Sequence, residues 1–398
     1  MESNNSQHPF VEIECRQFHK DGQAAYGDDF QWAKLENEDR YIAVLSDGLG
    51  SGIKANILAN MTATMMLRFT ESNMDILQSA EIIMDALPVC EVRKISYATF
   101  SIADMHSGGK TRIIEMGNPS YIHLRGEEEV PPLAHRQLVS QRWSDREMDI
   151  FDIQIQLGDR LIICSDGVTQ SGLGKTQYKF GWRRQGVVQF AQQKIQMEPD
   201  ISAKDLSDFI AREAINIDPE HKCHDDISCL CIYYRQPRTL RIITGPPFHK
   251  EDDSKFASLA QSGADRVIIC GGTTANIIKR ELGTDVRIDM KAIKASDELP
   301  PPGYMDRIGL ATEGILTLTR AARDLKSGEF ESSPTASRLI INAILESDRI
   351  EFIVGTKVNE AHQDPNLPID LEIRRNIVKK LKYILENQYR KSVEIKYY

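Results

Sequence analysis

The sequence predicts a two-domain α/β protein: sheets covered by helices, then a three-layer domain on a mainly parallel sheet. Three observations carry that reading. The chain has 398 residues, long for one core at ~100–200 residues per domain. Residues 1–237 hold 24 basic and 35 acidic side chains, a net of −11, whereas residues 238–398 hold 25 and 23, a net of +2. Between them Arg235-Gln236-Pro237-Arg238 separates two strand-like stretches, and proline joins a sheet ladder poorly. The domains are therefore set at 1–237 and 238–398.

In the first domain the apolar alternation of VEIECRQF, YIAVLSDG, ATFSIADM, RIIEMGN, YIHLR and RLIICSDG predicts strands. A helical stretch runs from Ser51 to about Leu87, with Ile57, Met61, Thr64 and Met65 near one face, and another covers about 183–214 before the strand ISCLCIYY. Antiparallel strands interrupted by helices suggest sheets with helical covers. The second domain alternates: strand RIITG, helix SKFASLAQSG, strand RVIICGG, helix TANIIKREL, strand DVRID, helices ATEGILTLTRAARDL and ASRLIINAILES, strand RIEFIVG, helix EIRRNIVKKLKYILENQ and strand SVEIKYY. That order predicts a parallel sheet between helical layers. Pro300-Pro301-Pro302-Gly303 reads as a rigid surface loop.

Hydrophobic residues make up 41% and charged residues 27%, the balance of a soluble globular chain. No apolar run reaches the roughly 18–20 residues of a bilayer span, and MESNNSQHPF lacks a signal pattern. A net charge of −9 argues against nucleic acid as a partner. Seven cysteines, at 15, 90, 164, 223, 229, 231 and 270, are odd in number and do not make a disulfide framework. The expectation is a reducing cytoplasm. His221, Cys223, His224, Cys229 and Cys231 are zinc-ligand types, but their spacing fits no two-plus-two site, and Cys229 and Cys231 alternate as in a strand.

The chemistry-bearing residues are carboxylates. Asp47 closes YIAVLSDG, Asp166 closes RLIICSDG, and Asp225 opens the strand HDDISCLCIYY. One Asp-Gly is an ordinary turn. Three carboxylates delivered to strand ends make a hard oxygen site suited to Mg²⁺ or Mn²⁺.

Asp47-Gly48-Leu49-Gly50-Ser51-Gly52, after Ala43-Val44-Leu45-Ser46, resembles the first metal motif of the SpoIIE-like serine phosphatases of the metal-dependent PPM (protein phosphatase 2C-like) superfamily. Asp166-Gly167 is similar to its second motif, and Asp225-Asp226-Ile227-Ser228 to the last. Gly27-Asp28-Asp29-Phe30 and Met116-Gly117-Asn118-Pro119 are similar to shorter ones. The resemblance covers about residues 11–235 and implies an αββα sandwich holding two Mn²⁺ or Mg²⁺ ions. It further implies that Asp47 bridges the ions and the Gly48 carbonyl ligates one. Asp166 and Asp225 would hold the other, with Asp28 acting through water and Asp226 supporting. The implied activity is hydrolysis of phosphoserine or phosphothreonine on a phosphorylated regulatory protein. The alternative is a catalytically weak, phosphatase-derived binding module. No histidine matches the general acid of eukaryotic relatives, and Arg16 reads as a surface or paired residue. Ser51 and Gly52 open the following helix either as a hinge or as a plain cap.

No family is recognised in 238–398. Cys270-Gly271-Gly272-Thr273-Thr274-Ala275-Asn276 lies between a strand and a helix, where Gly271, Gly272, Thr273 and Thr274 could seat a small phosphate-bearing ligand or form a tight turn. Thr312-Glu313-Gly314 opens another helix, Glu313 meeting a ribose hydroxyl or capping the helix. Arg374, Arg375, Lys379, Lys380 and Lys382 interleave with apolar residues as a solvated helix face.

Overall fold

The computed structural model describes residues 9–48, 50–86, 98–139, 147–261, 263–288, 299–357 and 368–398. Leu49, Cys90 and the first eight residues lie outside these. The chain divides into two compact units, Met1–Gln236 and Pro237–Tyr398. Among the described residues no helix is long and apolar enough to cross a membrane.

The first unit opens with β1 Phe10–Phe18, β2 Asp28–Leu35, β3 Arg40–Gly48, α1 Ile53–Glu71 and α2 Ile76–Ala86. Strands β4 Ala98–His106, β5 Lys110–Met116, β6 Ile122–Arg125, β7 Glu128–Glu129, β8 Ala134–Val139, β9 Glu147–Gln154 and β10 Asp159–Cys164 follow. Then come α3 Asp166–Thr169, α4 Arg183–Met197, α5 Ala203–Ile217 and β11 Ile227–Arg235. They form two antiparallel sheets, β2-β3-β4-β5-β9-β8 and β1-β11-β10-β6-β7.

Period-two alternation assigns each strand face to a layer. Ile42 and Val44 of β3 pack with Met66 and Leu67 of α1 and Ile83 of α2. Ala43 and Leu45 pack instead with Leu161, Ile163, Leu230 and Ile232 of the other sheet. Cys229 and Cys231, on the far side of β11, pack under α4 and α5 with Val188 and Ile210. The order is helices, sheet, sheet, helices. Cys229 and Cys231 are fully buried core residues.

The helix predicted from Ser51 to Leu87 is two helices. Asn73 takes a positive φ, and the Asp75 carboxylate caps α2 by accepting from the Gln78 amide at 2.9 Å. Buried Arg40 fixes this corner, donating to Asp104 at 2.7 Å, to Asn73 at 2.8 Å and to the Thr70 carbonyl at 3.1 Å. The packed face of α1 also differs from the Ile57–Met65 face read from the sequence. Ala55, Ala59 and Ala63 are buried, while Ile57 is 50% and Met61 39% exposed. Small side chains let α1 sit close to the sheet. Strand β2, half-exposed at a sheet edge, gave no sequence signal.

The second unit contains β12 Thr239–Thr244, α6 Asp253–Ser258, β13 Arg266–Cys270, α7 Gly272–Leu282, β14 Val286–Ile288, β15 Gly303–Met305 and β16 Gly309–Thr312. It continues with α8 Ile315–Ser327, α9 Thr335–Leu345, β17 Arg349–Val354, α10 Pro368–Asn387 and β18 Ser392–Tyr397. The sheet order is β14-β15-β16-β13-β12-β17-β18. Its five strands from β16 to β18 are parallel, and β14 and β15 pair antiparallel. Helices α8, α9 and α10 cover one face, and α6 and α7 the other. Two local expectations are corrected. Gly309–Thr312 is a strand, so the helix begins at Ile315 rather than Ala311, and Gly303, itself buried, opens β15 rather than ending a surface loop.

The identity of the α1 face is measurable. Ala59→Leu should destabilise the protein by about 1–3 kcal/mol through overpacking, and Ile57→Ala should shift stability by no more than about 0.5 kcal/mol. Urea unfolding of both variants checks the assignment.

Candidate metal centre

Strand alternation delivers the acidic residues to one mouth of the inter-sheet layer. Asp47 shares the face of Ala43 and Leu45, and Asp28 the face of Phe30, all directed between the sheets. The antiparallel register of β2 and β3 sets Asp28 directly opposite Asp47. On the other sheet, Asp166 follows β10 as the first residue of α3 rather than closing the strand, and Asp225 stands two residues before β11. The β10–β11 pairing, Cys164 opposite Cys229, brings those two ends together.

Glycine is needed beside these acids for space. A side chain on Gly48 would start 2.0 Å from the Ala55 carbonyl oxygen of α1, and one on Gly167 would start 2.0 Å from the Asp226 carbonyl oxygen. The Gly48 amide donates to the Gly27 carbonyl at 3.1 Å, tying the Asp47 turn to the Asp28 turn. Only backbone without Cβ lets the turns approach so closely.

The electrostatics follow from burial and crowding. Asp28 is 2% exposed, and both its carboxylate oxygens are buried without a hydrogen-bond partner. Burial, then the charges of Asp226 and Asp166, push its pKa up to about 7 against the opposing influence of Ser228 and Ser165. Asp47 is pushed up to about 10 by burial and by Asp28, Asp166 and Asp225. Asp225 is raised by burial and its acidic neighbours, with its bond from the Asp226 amide and the Lys20 charge offsetting part. One Asp226 oxygen accepts from the Lys20 amide at 3.1 Å; the other is buried and unpartnered. Oxygen-only donors with orphaned, mutually repelling carboxylates fit hard divalent cations. Among the described residues no three acidic, imidazole or thiol groups are already drawn together as a cation cage.

The remaining motif residues brace the mouth. Asn118 donates to Ser101 at 3.1 Å and accepts from Thr99, the residue opposite Asp47 on β4. Asp29 accepts from Gln31 at 2.9 Å and from Asn60 of α1 at 3.2 Å. Arg16 pairs with Asp208 at 2.9 Å. Gly52 caps α1 with φ 73° and no side-chain bond. The His224 Nε2 lies 3.3 Å from the Pro219 carbonyl oxygen. The motif serines Ser165 and Ser228 gain a role only in the fold: the Ser165 hydroxyl accepts from the Ser228 amide at 3.0 Å and links the Asp166 and Asp225 turns. Sequence reading missed His19, which lies edge-on to Tyr26 and beside the Lys20 amide that holds Asp226.

A pH dependence follows. Because Asp28 binds its proton more tightly folded (about 7) than at its ordinary 3.8, its stabilising protonation is complete below the ordinary value and lost as pH rises through about 7. In EDTA, Tm from this group should rise as pH falls from about 8 to about 6. Asp47→Asn, which removes the cost of protonating Asp47 on folding at a pH below its raised value of about 10, should raise the Tm in EDTA at pH ~8 by about 2–4 °C and flatten the pH dependence. Calorimetry of both proteins is the check.

The family model for Stage II sporulation protein E (SpoIIE) matches residues 37–235. Stage II sporulation protein E of Bacillus subtilis (strain 168) is 28% identical over 152 residues, covering 37% of this chain; the chain spans 18% of that relative's length. Among solved structures, the PP2C phosphatase domain with a fragment of the regulatory domain of SpoIIE from Bacillus subtilis aligns at 18% identity. It covers 58% of this chain and 65% of that one, with a TM-score of 0.46. The RsbU and RsbW domains of a Mycobacterium tuberculosis protein align at 16% identity, covering 63% and 67%, with a TM-score of 0.45. With half of its length matched by the family model, over the segment that carries Asp47, Asp166 and Asp225, the chain belongs to the SpoIIE family.

Proposed function

We propose that the first unit is a metal-dependent protein-serine/threonine phosphatase acting on a phosphorylated regulatory protein in bacterial signalling. The observation that carries this reading is the mutual electrostatic proximity of Asp28, Asp47, Asp166 and Asp225 at one mouth, with both Asp28 oxygens left unpartnered. Asp47, the Gly48 carbonyl, Asp166 and Asp225 would hold two Mn²⁺ or Mg²⁺ ions, and Asp28, the deepest of the four, would orient solvent. When bound, the ions supply Lewis acidity and lower the proton affinity of water at neutral pH.

Phosphoryl transfer asks little covalent chemistry of the protein and much positioning. The cysteines agree with that division of labour: Cys229 and Cys231 are buried in β11 with their thiols pushed up by their surroundings, so neither is an available nucleophile. A protein substrate, rather than a small ester, is supported by α1. Ile53, Ile57 and Met61 form an exposed apolar stripe at i, i+4 and i+8, starting five residues after Gly48. The second reading is a catalytically weak binding module derived from the same fold.

Turnover separates the two. With Mn²⁺, the purified protein should hydrolyse p-nitrophenyl phosphate and a phosphoserine protein, EDTA should stop it, and added Mn²⁺ should restore it. Asp47→Asn should lower the rate by about a hundredfold or more, the scale seen when one electrostatic group of a catalytic site is removed. Near-wild-type rates in that variant at saturating Mn²⁺ refute the metal assignment; no hydrolysis by the wild type supports the binding module.

A further inference from the structure

The carboxyl edge of the second unit's sheet is built for a ligand of its own. Strand β12 lies between β13 and β17, all parallel, and the chain fills one side before crossing to the other. That reversal lies between β12 and β17, one strand from β13, and open parallel sheets bind ligands outside their carboxyl strand ends near it. The ends are level: Thr244 faces Cys270 and Val354, and Cys270 faces Thr312. Gly245, Gly271 and Gly355 follow three of these ends directly. Gly271 and Gly314 are in close contact, since a side chain on Gly314 would start 3.2 Å from the Gly271 Cα.

Two helices start at this edge and differ in one respect. The first turn of α8 is already served by a carboxylate: Glu313 accepts from the amides of Leu316 at 3.1 Å and Thr317 at 3.3 Å, which settles its role as a cap. No side chain caps α7, whose cap residue is Gly271. The Ala275 amide bonds to the Gly271 carbonyl at 2.9 Å, leaving the amides of Gly272, Thr273 and Thr274 as the free row of the first turn. Gly272 faces open space, with nothing within 4 Å of a side chain placed there.

Independent of the helix end, polar groups are buried here without partners. The hydroxyls of Thr274 and Thr244, each 1% exposed, and of Thr317, fully buried, make no hydrogen bond. Each such group costs about 1–3 kcal/mol unless something satisfies it. The Thr274 hydroxyl is aimed at the Gly271 turn, 3.4 Å from where a Gly271 side chain would begin. The Arg374 guanidinium of α10 stands against the neighbouring Gly245 turn, 2.7 Å from the corresponding point there.

We propose that this edge binds a small phosphate-bearing ligand, its phosphate seated on the amides of Gly272, Thr273 and Thr274. The Thr274 hydroxyl donates to it from the Gly271 side, and Arg374 supplies positive charge from the next turn. Amides and a hydroxyl arriving from different directions suit a tetrahedral anion with several oxygens. Thr244 and Thr317 lie at the ends of the adjoining strand and helix, where the rest of the ligand would satisfy them.

The test uses the full-length protein in EDTA, which keeps metal-assisted phosphate binding in the first unit out of the readout. Inorganic phosphate, pyrophosphate and ADP are titrated by calorimetry and thermal shift. At least one probe should bind and raise Tm, and the order of affinities distinguishes a lone phosphate, a diphosphate and a nucleotide. Gly272→Asp enters open space and places a carboxylate where a helix start favours one, so it should fold as wild type and bind the same probe about tenfold or more weakly. Thr274→Val, a change of similar shape, should also weaken binding and covers the case in which Gly272→Asp does not fold. The proposal is overturned if none of the three probes binds the wild type at millimolar concentration, or if either folded variant binds as tightly as wild type.

Discussion

Burying Asp28 opposite Asp47 is the constraint around which the first unit is arranged. Two carboxylates face each other at the end of β2 and β3, with Asp166 and Asp225 arriving from the second sheet. Burial and like charge both oppose ionisation there, so the bare arrangement is unfavourable at neutral pH. What holds it is backbone. The β2–β3 ladder, the Gly48–Gly27 amide bond and the Ser165–Ser228 link fix the strand ends whatever the carboxylates prefer. A site that stores repulsion in this way gains stability from whatever divalent charge enters it.

The packing around the mouth follows from the same constraint. Helix α1 begins five residues after Gly48, and its alanine face lies so close to the sheet that Gly48 cannot carry a side chain. Ile53, Ile57 and Met61 of α1 are thereby turned outward. Leaving Ile53 exposed and Ile57 half-exposed forgoes part of the roughly 1.5–3 kcal/mol that full burial of each side chain contributes.

The second unit applies a related principle with opposite sign. In the first, acidic side chains crowd a buried mouth; in the second, backbone amides and buried hydroxyls line the strand ends. The contrast between α7 and α8 is informative because the two helices start alike, with glycine at the cap and threonine at the third helical position. Glu313 completes one of them. Nothing in the chain's own first turn completes the other.

The sequence by itself determined the acidic motifs and most of the strands, because Ser-Asp-Gly after an apolar alternation is a local signal and buried central strands such as β3, β10 and β11 carry continuous apolar patterns. It also supplied the βα alternation of the second unit and the glycine loop after β13. Tertiary structure alone decided which groups meet. Strand β2 was invisible because an edge strand with one half-exposed face needs no alternation, so the Asp28–Asp47 pairing could not be read. Along α1 two stripes share helical spacing, alanines at 55, 59 and 63 and larger residues at 53, 57 and 61. Hydrophobicity favours burying the second, and the close approach demanded at Gly48 selects the first. Glu313 could serve a ligand or its own helix until the fold placed its carboxylate on the amides of α8. Periodicity states what a face contains; only the distance to the neighbouring element decides which face is used.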